Sequence, residues 1–289
     1  MHTDSSMVRL LEGARFELMP FQSFGGELEK LPEMAEIAVT TSPQLGIETT
    51  VEKSVEAAAA GHSVVPHIAA RYVEGSQQLR WIINSLDNAG IDDIFVPGGD
   101  LEEPNGPYES ALDLLEAMDD IGHPFNDVGI TGYPEGHAFI DDETLRSSMA
   151  AKAPYATYIV TQLCYDPEDI VTWIDSVRDE GIYLPIEVGV PGVMNYKKLM
   201  TISAKVGVGD SVQFLRKTTG IVDTVRQVIG SRGVYTPDAL VEGLAHIESD
   251  DHYNLRGLHI YTFNNTEDIE SWRQQRIDSM QSRRDIYYE

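Results

Sequence analysis

Short apolar runs rich in β-branched residues recur along the chain, and stretches with the apolar spacing of helices separate them. Eight such runs predict β-strands, at Arg15–Met19, Ile37–Thr41, Ser63–Ala69, Asp93–Pro97, Asp127–Tyr133, Tyr158–Tyr165, Leu184–Val190 and Leu258–Phe263. The segments between them predict helices, at Val51–Ala60, Gln77–Ala89, Tyr108–Asp120, Asp142–Lys152, Pro167–Glu180 and Asn195–Val206. Strands that alternate with helices in this way form a parallel sheet with helical crossovers.

The number of strands favours an α/β fold of the closed type, a single (β/α)8 TIM barrel, over an open sheet of about five or six strands. The interval from Gly207 to Arg256 is long enough for two helices before the last strand, and Asp268–Glu289 is polar and helical in pattern. No linker rich in Pro, Gly or Ser interrupts the chain. We therefore expect one domain over residues 1–289, with a barrel core at about 14–265 and a helical tail at 266–289.

Polar side chains occur repeatedly where the predicted strands end. The catalytic groups of a TIM barrel lie at the carboxyl ends of its strands, so these positions are the candidate active site. They are Glu17, Thr40, His67, Asp100, Tyr133, Glu135, His137, Gln162 and Asp166, together with the segment from His259 to Asn264.

Acidic residues outnumber basic residues by 47 to 21, and the formal net charge is −26 at pH 7. A surface of this sign repels nucleic acids and anionic membranes, because both carry phosphates that need Lys and Arg for neutralisation. The acidic residues are spread along the chain rather than gathered in a tail. We interpret this spread as adaptation to molar salt, where the screening length is about 3 Å. An ordinary acidic bacterial protein is the alternative interpretation.

Several features indicate the cellular compartment. The sequence has no apolar run of roughly 18 residues that could span a membrane. Residues 1–12 lack the apolar core of a signal peptide. Cys164 is the only cysteine, which excludes an internal disulfide. We therefore expect a cytoplasmic location.

The segment Phe16-Glu17-Leu18-Met19-Pro20 places one carboxyl group inside an apolar strand. Burial there disfavours the charged form of a carboxyl group, which is the property that a general acid needs. The alternative is a glutamate on the outer face of an edge strand. A closed barrel has no edge, so the first interpretation is favoured.

Three further segments carry candidate binding groups. Pro97-Gly98-Gly99-Asp100 lets the backbone approach a ligand and then presents a carboxylate, although a βα turn with Asp as a helix cap fits the same pattern. Gly132-Tyr133-Pro134-Glu135-Gly136-His137 offers a ring, a carboxylate and an imidazole, at a spacing that matches no standard metal ligand set. Gln162 ends a buried strand with an amide, and nearby Cys164 is interpreted as a buried structural thiol.

Together these segments resemble the methylenetetrahydrofolate reductase family, over roughly residues 14–265. The strings that carry the resemblance are Phe16-Glu17…Pro20, Val39-Thr40, Pro66-His67, Gly99-Asp100, Tyr133-Pro134-Glu135-Gly136-His137, Thr161-Gln162…Asp166, Val190-Pro191-Gly192 and Leu258-His259-Ile260-Tyr261-Thr262. The resemblance implies an FAD-containing barrel that passes a hydride from NAD(P)H through the flavin to 5,10-methylenetetrahydrofolate. It also implies folate and NAD(P)H as small-molecule partners, and we expect a homo-oligomer.

The resemblance also implies roles for individual residues. Glu17 corresponds to the proton donor, Asp100 to a group that contacts the pterin and tunes the flavin, and Gln162 to a folate contact. Ile202 aligns with an aromatic residue that usually covers the folate, and Lys152 is what remains of a basic helix. Gly98 stands where many members have arginine. The residues expected to bind FAD are Thr40, His67, Gly98, Gly99, Asp100, Tyr108, Tyr133, Glu135, His137 and Lys152.

Two other functions remain open from the sequence. One is a one-carbon oxidoreductase that uses no flavin or a different pterin carrier. The other is a non-catalytic folate- or flavin-binding subunit of a methyl-transfer system. The carboxyl group of Glu17 argues against the second, because a binding subunit needs no acid within a strand.

Overall fold

The computed structural model describes residues 2–206 and 233–288, and a barrel of eight parallel strands lies at its centre. These strands are β1 (Arg15–Leu18), β2 (Glu36–Val39), β3 (Ser63–Pro66), β4 (Asp93–Phe95), β5 (Asp127–Gly132), β6 (Tyr158–Thr161), β7 (Ile186–Pro191) and β10 (Leu255–Tyr261). They follow the order β3-β2-β1-β10-β7-β6-β5-β4. The two outer strands of this order meet at a parallel bridge between His67 and Phe95, where the amide of Ile68 donates to the Phe95 carbonyl (2.8 Å). The predicted (β/α)8 barrel is confirmed.

Helices surround the barrel at the places where the apolar spacing predicted them. They are α3 (Gly46–Ala59), α4 (Ser76–Asn88), α5 (Ala111–Ile121), α6 (Asp142–Lys152), α7 (Pro167–Asp179), α8 (Tyr196–Val206), α9 (Asp238–Ala245) and α10 (Thr266–Tyr288). Two further helices, α1 (His2–Glu12) and α2 (Phe24–Leu28), were not predicted. Of the two helices expected between Gly207 and Arg256, α9 is present, and residues 207–232 lie outside the described part of the chain.

A short antiparallel pair accompanies the barrel, formed by β8 (Met194–Asn195) and β9 (Val234–Tyr235). It precedes α8 on one side and α9 on the other, and its residues Met194 and Tyr235 are buried. In the ranges 2–206 and 233–288, no helix is both long and apolar enough to cross a membrane.

The two faces of the barrel strands have different chemistry because successive side chains point to opposite sides of a strand. In β1, Phe16 and Leu18 are buried in the large apolar core between the strands and the helices. Arg15 and Glu17 alternate with them and point into the barrel interior, where Arg15 reaches Tyr158 on the opposite wall (3.2 Å). Polar groups inside the barrel are therefore a direct consequence of the alternation in β1.

Glycines make room for large side chains inside the barrel. A Cβ atom added at Gly129 would lie 2.5 Å from the ring of Tyr158, and one at Gly189 would lie 2.3 Å from the carbonyl oxygen of Thr161. The same atom at Gly189 would lie 2.7 Å from the ring of Tyr261. These close approaches require residues without a side chain.

Candidate active site at the carboxyl end of the barrel

An acid and an imidazole meet where β1 and β10 end side by side. Oε2 of Glu17 lies 3.2 Å from Nε2 of His259, and the two residues are 242 positions apart in the chain. Both point inward because Phe16 and Leu18, like Leu258 and Ile260, occupy the outward-facing positions of their strands. The side chain of Glu17 is 13% exposed and that of His259 is 1% exposed. This geometry allows a proton to be shared between a buried base and a carboxyl group that reaches solvent.

His259 has two carboxyl neighbours. Besides Glu17, Glu187 in β7 lies with its Oε2 atom 3.8 Å from Nδ1 of His259. Burial by itself lowers the pKa of His259, but the hydrogen bond with Glu17 and the charges of Glu17 and Glu187 outweigh it and raise the pKa above its ordinary value. The sequence pointed to His259 only as part of a strand end, and its role depends on these two contacts.

His67 follows β3 and stacks on His259, with ring centroids 5.8 Å apart. Burial, followed by the positive charges of His259 and Arg15, holds the pKa of His67 well below its ordinary value, so its ring is neutral. Its Nε2 atom is buried and has no hydrogen-bond partner among residues 2–206 and 233–288. A buried polar atom without a partner indicates a place where a ligand supplies one.

The side chains of Glu17, His67 and His259 present three ligand-type atoms within 4.8 Å of one another. Two imidazoles and a carboxylate are ligand types that divalent transition metals use. The Glu17–His259 pair is, however, already at hydrogen-bond distance, so a proton satisfies it without a metal ion. A second group of this kind, Glu135, Cys164 and Asp169, lies beside α7.

The loop after β4 places Asp100 at the rim of the barrel. Gly99 has a φ of +95°, which favours glycine, and the Gly98 carbonyl accepts from the amide of Arg71 (2.9 Å). The carboxylate of Asp100 is exposed and accepts a hydrogen bond from the hydroxyl of Tyr72. Burial, and then this hydrogen bond, raise the pKa of Tyr72. Sequence reasoning missed Tyr72, which holds Asp100 in position.

The segment after β5 lines a cleft of about 390 Å³ between α6 and α7. The rings of Tyr133 and His137 meet edge to face, with centroids 5.2 Å apart. Glu135 faces Cys164, whose pKa is raised first by burial and then by the charge of Glu135. Cys164 is therefore a protonated thiol, which agrees with the structural role predicted for it.

Two of the predicted folate contacts, Gln162 after β6 and Ile202 in α8, lie near the end of β10. Gln162 is half-buried, and its Oε1 atom accepts from the amide of Leu163 (2.7 Å). Ile202 packs on a small apolar cluster of Leu163, Tyr165, Met194, Leu199 and Tyr235, which also contacts Tyr261 and Phe263. The rings of Tyr261 and Phe263 lie nearly parallel, with centroids 6.4 Å apart. These two rings supply an aromatic surface; the sequence placed both in the candidate segment from His259 to Asn264 but assigned neither a role.

The turn after β10 carries backbone strain. Phe263 and Asn264 both have positive φ, at 48° and 55°. The side chain of Asn264 compensates with two hydrogen bonds to the backbone of Met19. Its Oδ1 atom accepts from the Met19 amide (2.8 Å), and its Nδ2 atom donates to the Met19 carbonyl (3.1 Å). Strained residues of this kind concentrate at functional sites. The turn therefore fixes the end of β1, two residues beyond Glu17.

Besides His67, two residues expected to bind the cofactor are buried. Tyr108 belongs to the apolar core, and Lys152 is 6% exposed with its Nζ atom 3.4 Å from Thr131 Oγ1. Burial lowers the pKa of Lys152 to about 8. Of the other residues expected there, Thr40 is half-buried after β2, where its amide donates to the carbonyl of Leu18 (3.0 Å). The structure thus brings Glu17, His67 and His259 together and places Tyr108 and Lys152 in the protein interior.

Comparison with known proteins identifies relatives of one kind. The family model for methylenetetrahydrofolate reductase matches residues 32–275. Methylenetetrahydrofolate reductase 1 of Schizosaccharomyces pombe is 28% identical over 170 residues, which are 57% of this chain and 26% of that protein. The 5,10-methylenetetrahydrofolate reductase of Pectobacterium carotovorum is 29% identical over 155 residues, 51% of this chain and 50% of that protein. The matched regions thus span half or less of these relatives' length.

Among solved structures, a family 18 chitinase from Cycas revoluta superposes with a TM-score of 0.50 over 92% of this chain and 99% of its own, at 11% identity. At this identity the likeness shows the barrel fold alone. The family match is more informative, because it covers every barrel strand from β2 to β10. The chain belongs to the methylenetetrahydrofolate reductase family.

Proposed function

We propose that this protein is a flavin-dependent oxidoreductase that interconverts 5,10-methylenetetrahydrofolate and 5-methyltetrahydrofolate, with NAD(P)H as the hydride source. Family membership supports the folate substrate. The observation that carries the reaction is the Glu17–His259 pair at the carboxyl end of the barrel. Reduction of the methylene group first requires that its bridge between two nitrogens open, and the departing nitrogen needs a proton there. Glu17 is the carboxyl group that reaches solvent with a base behind it.

The other groups of the site bind and orient in this proposal. Asp100, held by Tyr72, accepts from N–H groups of the pterin ring. Gln162 offers an amide to the folate, and Ile202 with the neighbouring rings of Tyr261 and Phe263 covers its apolar surface. The substrate is thereby enclosed on one side by apolar groups and met on the other by Glu17, which positions the acid and excludes water.

The flavin ring fits this site better than the flavin phosphates do. FAD supplies hydride transfer when it is bound. The unpartnered Nε2 atom of His67 can contact the ring, and Gly98, where no described atom lies within 4 Å of an added Cβ, leaves space for it at the rim. Lys152, which was expected to bind FAD, is buried, and Arg146 in the cleft lined by Tyr133 and Glu135 is paired with Glu143 (2.5 Å) and lies 3.6 Å from Glu180.

Because Lys152 is buried and Arg146 is paired with a carboxylate, neither cation is readily available to the flavin phosphates. This favours one alternative, a one-carbon oxidoreductase of the same substrate class that binds no flavin. The absorbance spectrum of the purified protein separates the two. The proposal expects a visible flavin band, FAD released on denaturation, bleaching by NADH or NADPH, and recovery of the band on addition of 5,10-methylenetetrahydrofolate. A colourless protein that still consumes the folate with NAD(P)H supports the alternative. A protein that binds folate and never turns it over contradicts both.

A further inference from the structure

A chain of buried charged groups lies inside the barrel beneath Glu17. Nη1 of Arg15 is 2.8 Å from Oε2 of Glu187, and both side chains are 4% exposed. Nη2 of Arg15 is 3.1 Å from Asp93, which also accepts from the hydroxyl of Tyr158 (2.8 Å) and pairs with Arg256 (3.2 Å). Burying so many charges is costly unless each is paired. The pairing here fixes the position of Glu187.

His259 joins this network to the solvent-facing acid. Oε2 of Glu187, the atom that binds Arg15, lies 3.8 Å from Nδ1 of His259, which is an ion-pair contact longer than a hydrogen bond, and Nδ1 has no hydrogen-bond partner among the described residues. On the other side of the ring, Nε2 lies 3.2 Å from Glu17. The arrangement follows from the barrel register, because Arg15 in β1 is the neighbour of His259 in β10. Arg15, Glu187, His259 and Glu17 thus form one line from the barrel interior to its mouth.

The charges around His259 favour a proton on its ring. The groups that face it are Glu17 and Arg15 from β1, Glu187 from β7, His67 after β3 and Tyr261 from β10. Burial opposes protonation, whereas the two carboxylates favour it. Arg15 lies 2.8 Å from Glu187 and so partly neutralises it, which leaves Glu17 as the carboxylate in direct hydrogen-bond contact.

We propose that His259 is a positioning residue, held in one orientation by the Arg15–Glu187 pair, and that it keeps Glu17 directed to the barrel mouth and shares with it the proton that Glu17 delivers. The catalytic consequence rests on the proposed function above. The contact between the groups does not depend on it.

In this arrangement the imidazole of His259 carries one hydrogen on Nδ1, which faces Glu187. One further proton lies between Nε2 of His259 and Oε2 of Glu17. When the bond between the bridging carbon and a folate nitrogen breaks, the nitrogen keeps the electron pair and takes this proton from Glu17. The Glu17–His259 pair then carries one more negative charge, and solvent at the mouth returns the proton.

Nitrogen NMR of the imidazole rings tests the contact without folate or NAD(P)H. In protein labelled with ¹⁵N-histidine, the H259Q spectrum identifies the His259 signals among the eight histidines. The proposal expects His259 to titrate above the ordinary midpoint of 6.5, and expects E17Q and E187Q each to lower that midpoint. The exposed pair His252–Asp175 (2.8 Å) is the matched control, because H252Q should remove its own signals only.

E187Q leaves Arg15 buried with one carboxylate fewer, so this variant could misfold. A second variant keeps the test valid in that case. R15M/E187M removes both charges together, a change that buried ion pairs tolerate better than the loss of one partner. It should reorient His259 and broaden or shift its signals. A His259 ring that is neutral throughout the titration and unaffected by E17Q, E187Q and R15M/E187M overturns the proposal. So does a joint shift of His67 and His259 on addition of one equivalent of Zn²⁺, which identifies a metal site.

Rapid kinetics tests the consequence for catalysis. H259Q should slow reoxidation of the reduced flavin by 5,10-methylenetetrahydrofolate about 10²-fold, the effect of misplacing a reacting group by about 1 Å. Flavin reduction by NAD(P)H should be unchanged in H259Q, and both rates should be unchanged in H252Q. Equal loss in the two half-reactions contradicts a positioning role. If the unaltered protein shows no reaction with folate, the proposed function fails, while the NMR titration still decides the position of His259.

Discussion

At the scale of single residues, Glu17 is the group on which the proposed chemistry depends. Glu17→Gln keeps the size and much of the hydrogen bonding of the side chain but cannot deliver a proton. General acid catalysis contributes about 10²–10⁴-fold, so reoxidation of the flavin by folate should fall at least about 100-fold. Reduction of the flavin by NAD(P)H needs no such proton and should keep its rate. Stopped-flow absorbance measures the two steps separately, and an equal fall in both would show that Glu17 supports the fold or the flavin instead.

Lys152 allows a second residue-scale prediction. Burial lowers its pKa from 10.5 to about 8, so at pH 7 the folded protein carries an ammonium group in an environment that disfavours it. At about 1.4 kcal/mol per pKa unit, the penalty is on the order of 3 kcal/mol. Lys152→Met should therefore raise the free energy of unfolding at pH 7 by about 1–3 kcal/mol, as measured by urea denaturation.

The pH dependence of this effect has a definite sign. Between pH 8 and 10.5 the unfolded chain binds more protons at Lys152 than the folded protein does, so the penalty declines as the pH rises through this window. The gain from Lys152→Met should shrink accordingly, while exposed Lys198→Met should show no such trend. A drop in bound flavin in Lys152→Met, without a gain in stability, would instead identify Lys152 as a cofactor ligand.

At the scale of elements, the contact between β6, β7 and β10 depends on one glycine. A Cβ atom at Gly189 would overlap the Thr161 carbonyl at 2.3 Å, and backbone atoms cannot move aside as a flexible side chain can. Gly189→Ala should therefore destabilise the barrel by about 1–3 kcal/mol or more, measured by urea denaturation at molar KCl. Gly26→Ala in α2 is the control, because no atom of residues 2–206 and 233–288 outside its immediate neighbours lies within 4 Å of the added atom. Equal stability of the two variants would contradict the observed strand spacing.

At the scale of the whole molecule, the net charge of −26 makes stability dependent on salt. Repulsion among the acidic groups opposes the compact state, and screening at molar ionic strength shortens its range to about 3 Å. The midpoint of thermal unfolding should therefore rise as KCl is raised toward molar concentrations at pH 7. The effect should weaken as the pH approaches the isoelectric point near 4.5, where the net charge vanishes. A melting temperature that does not respond to KCl at pH 7 would exclude adaptation to salt.

The sequence by itself determined the barrel strands, because the burial pattern of a strand depends on residues that are adjacent in the sequence. The predicted starts at Arg15, Ser63, Asp93, Asp127 and Tyr158 are those of the structure. It did not predict α1, whose apolar residues pack on α9 and α10 near the other end of the chain. The short apolar run around Leu10 and Leu11 is buried because those distant helices pack against it.

The strand ends also predicted which part of the barrel carries the polar groups, since each strand end is a local feature. Helix positions were less certain. Lys152 and Tyr108 were expected at the cofactor because of the resemblance; both are buried, as is His67, and their contact with a cofactor stays a prediction. Whether a side chain near a helix end faces a ligand or the core depends on how that segment packs, and packing is not readable from spacing alone.

Only the tertiary structure decided which polar groups meet. Glu17 and His259 are 242 residues apart, and Arg15 and Glu187 are 172 apart, so no local pattern relates them. Closure of the barrel places β10 between β1 and β7, and its register sets Arg15 beside His259. Strand alternation sends these side chains inward, where the closed wall brings them into contact with one another. The sequence alone predicted Glu17 as the acid, but only the closure of the sheet brings the base His259 next to it.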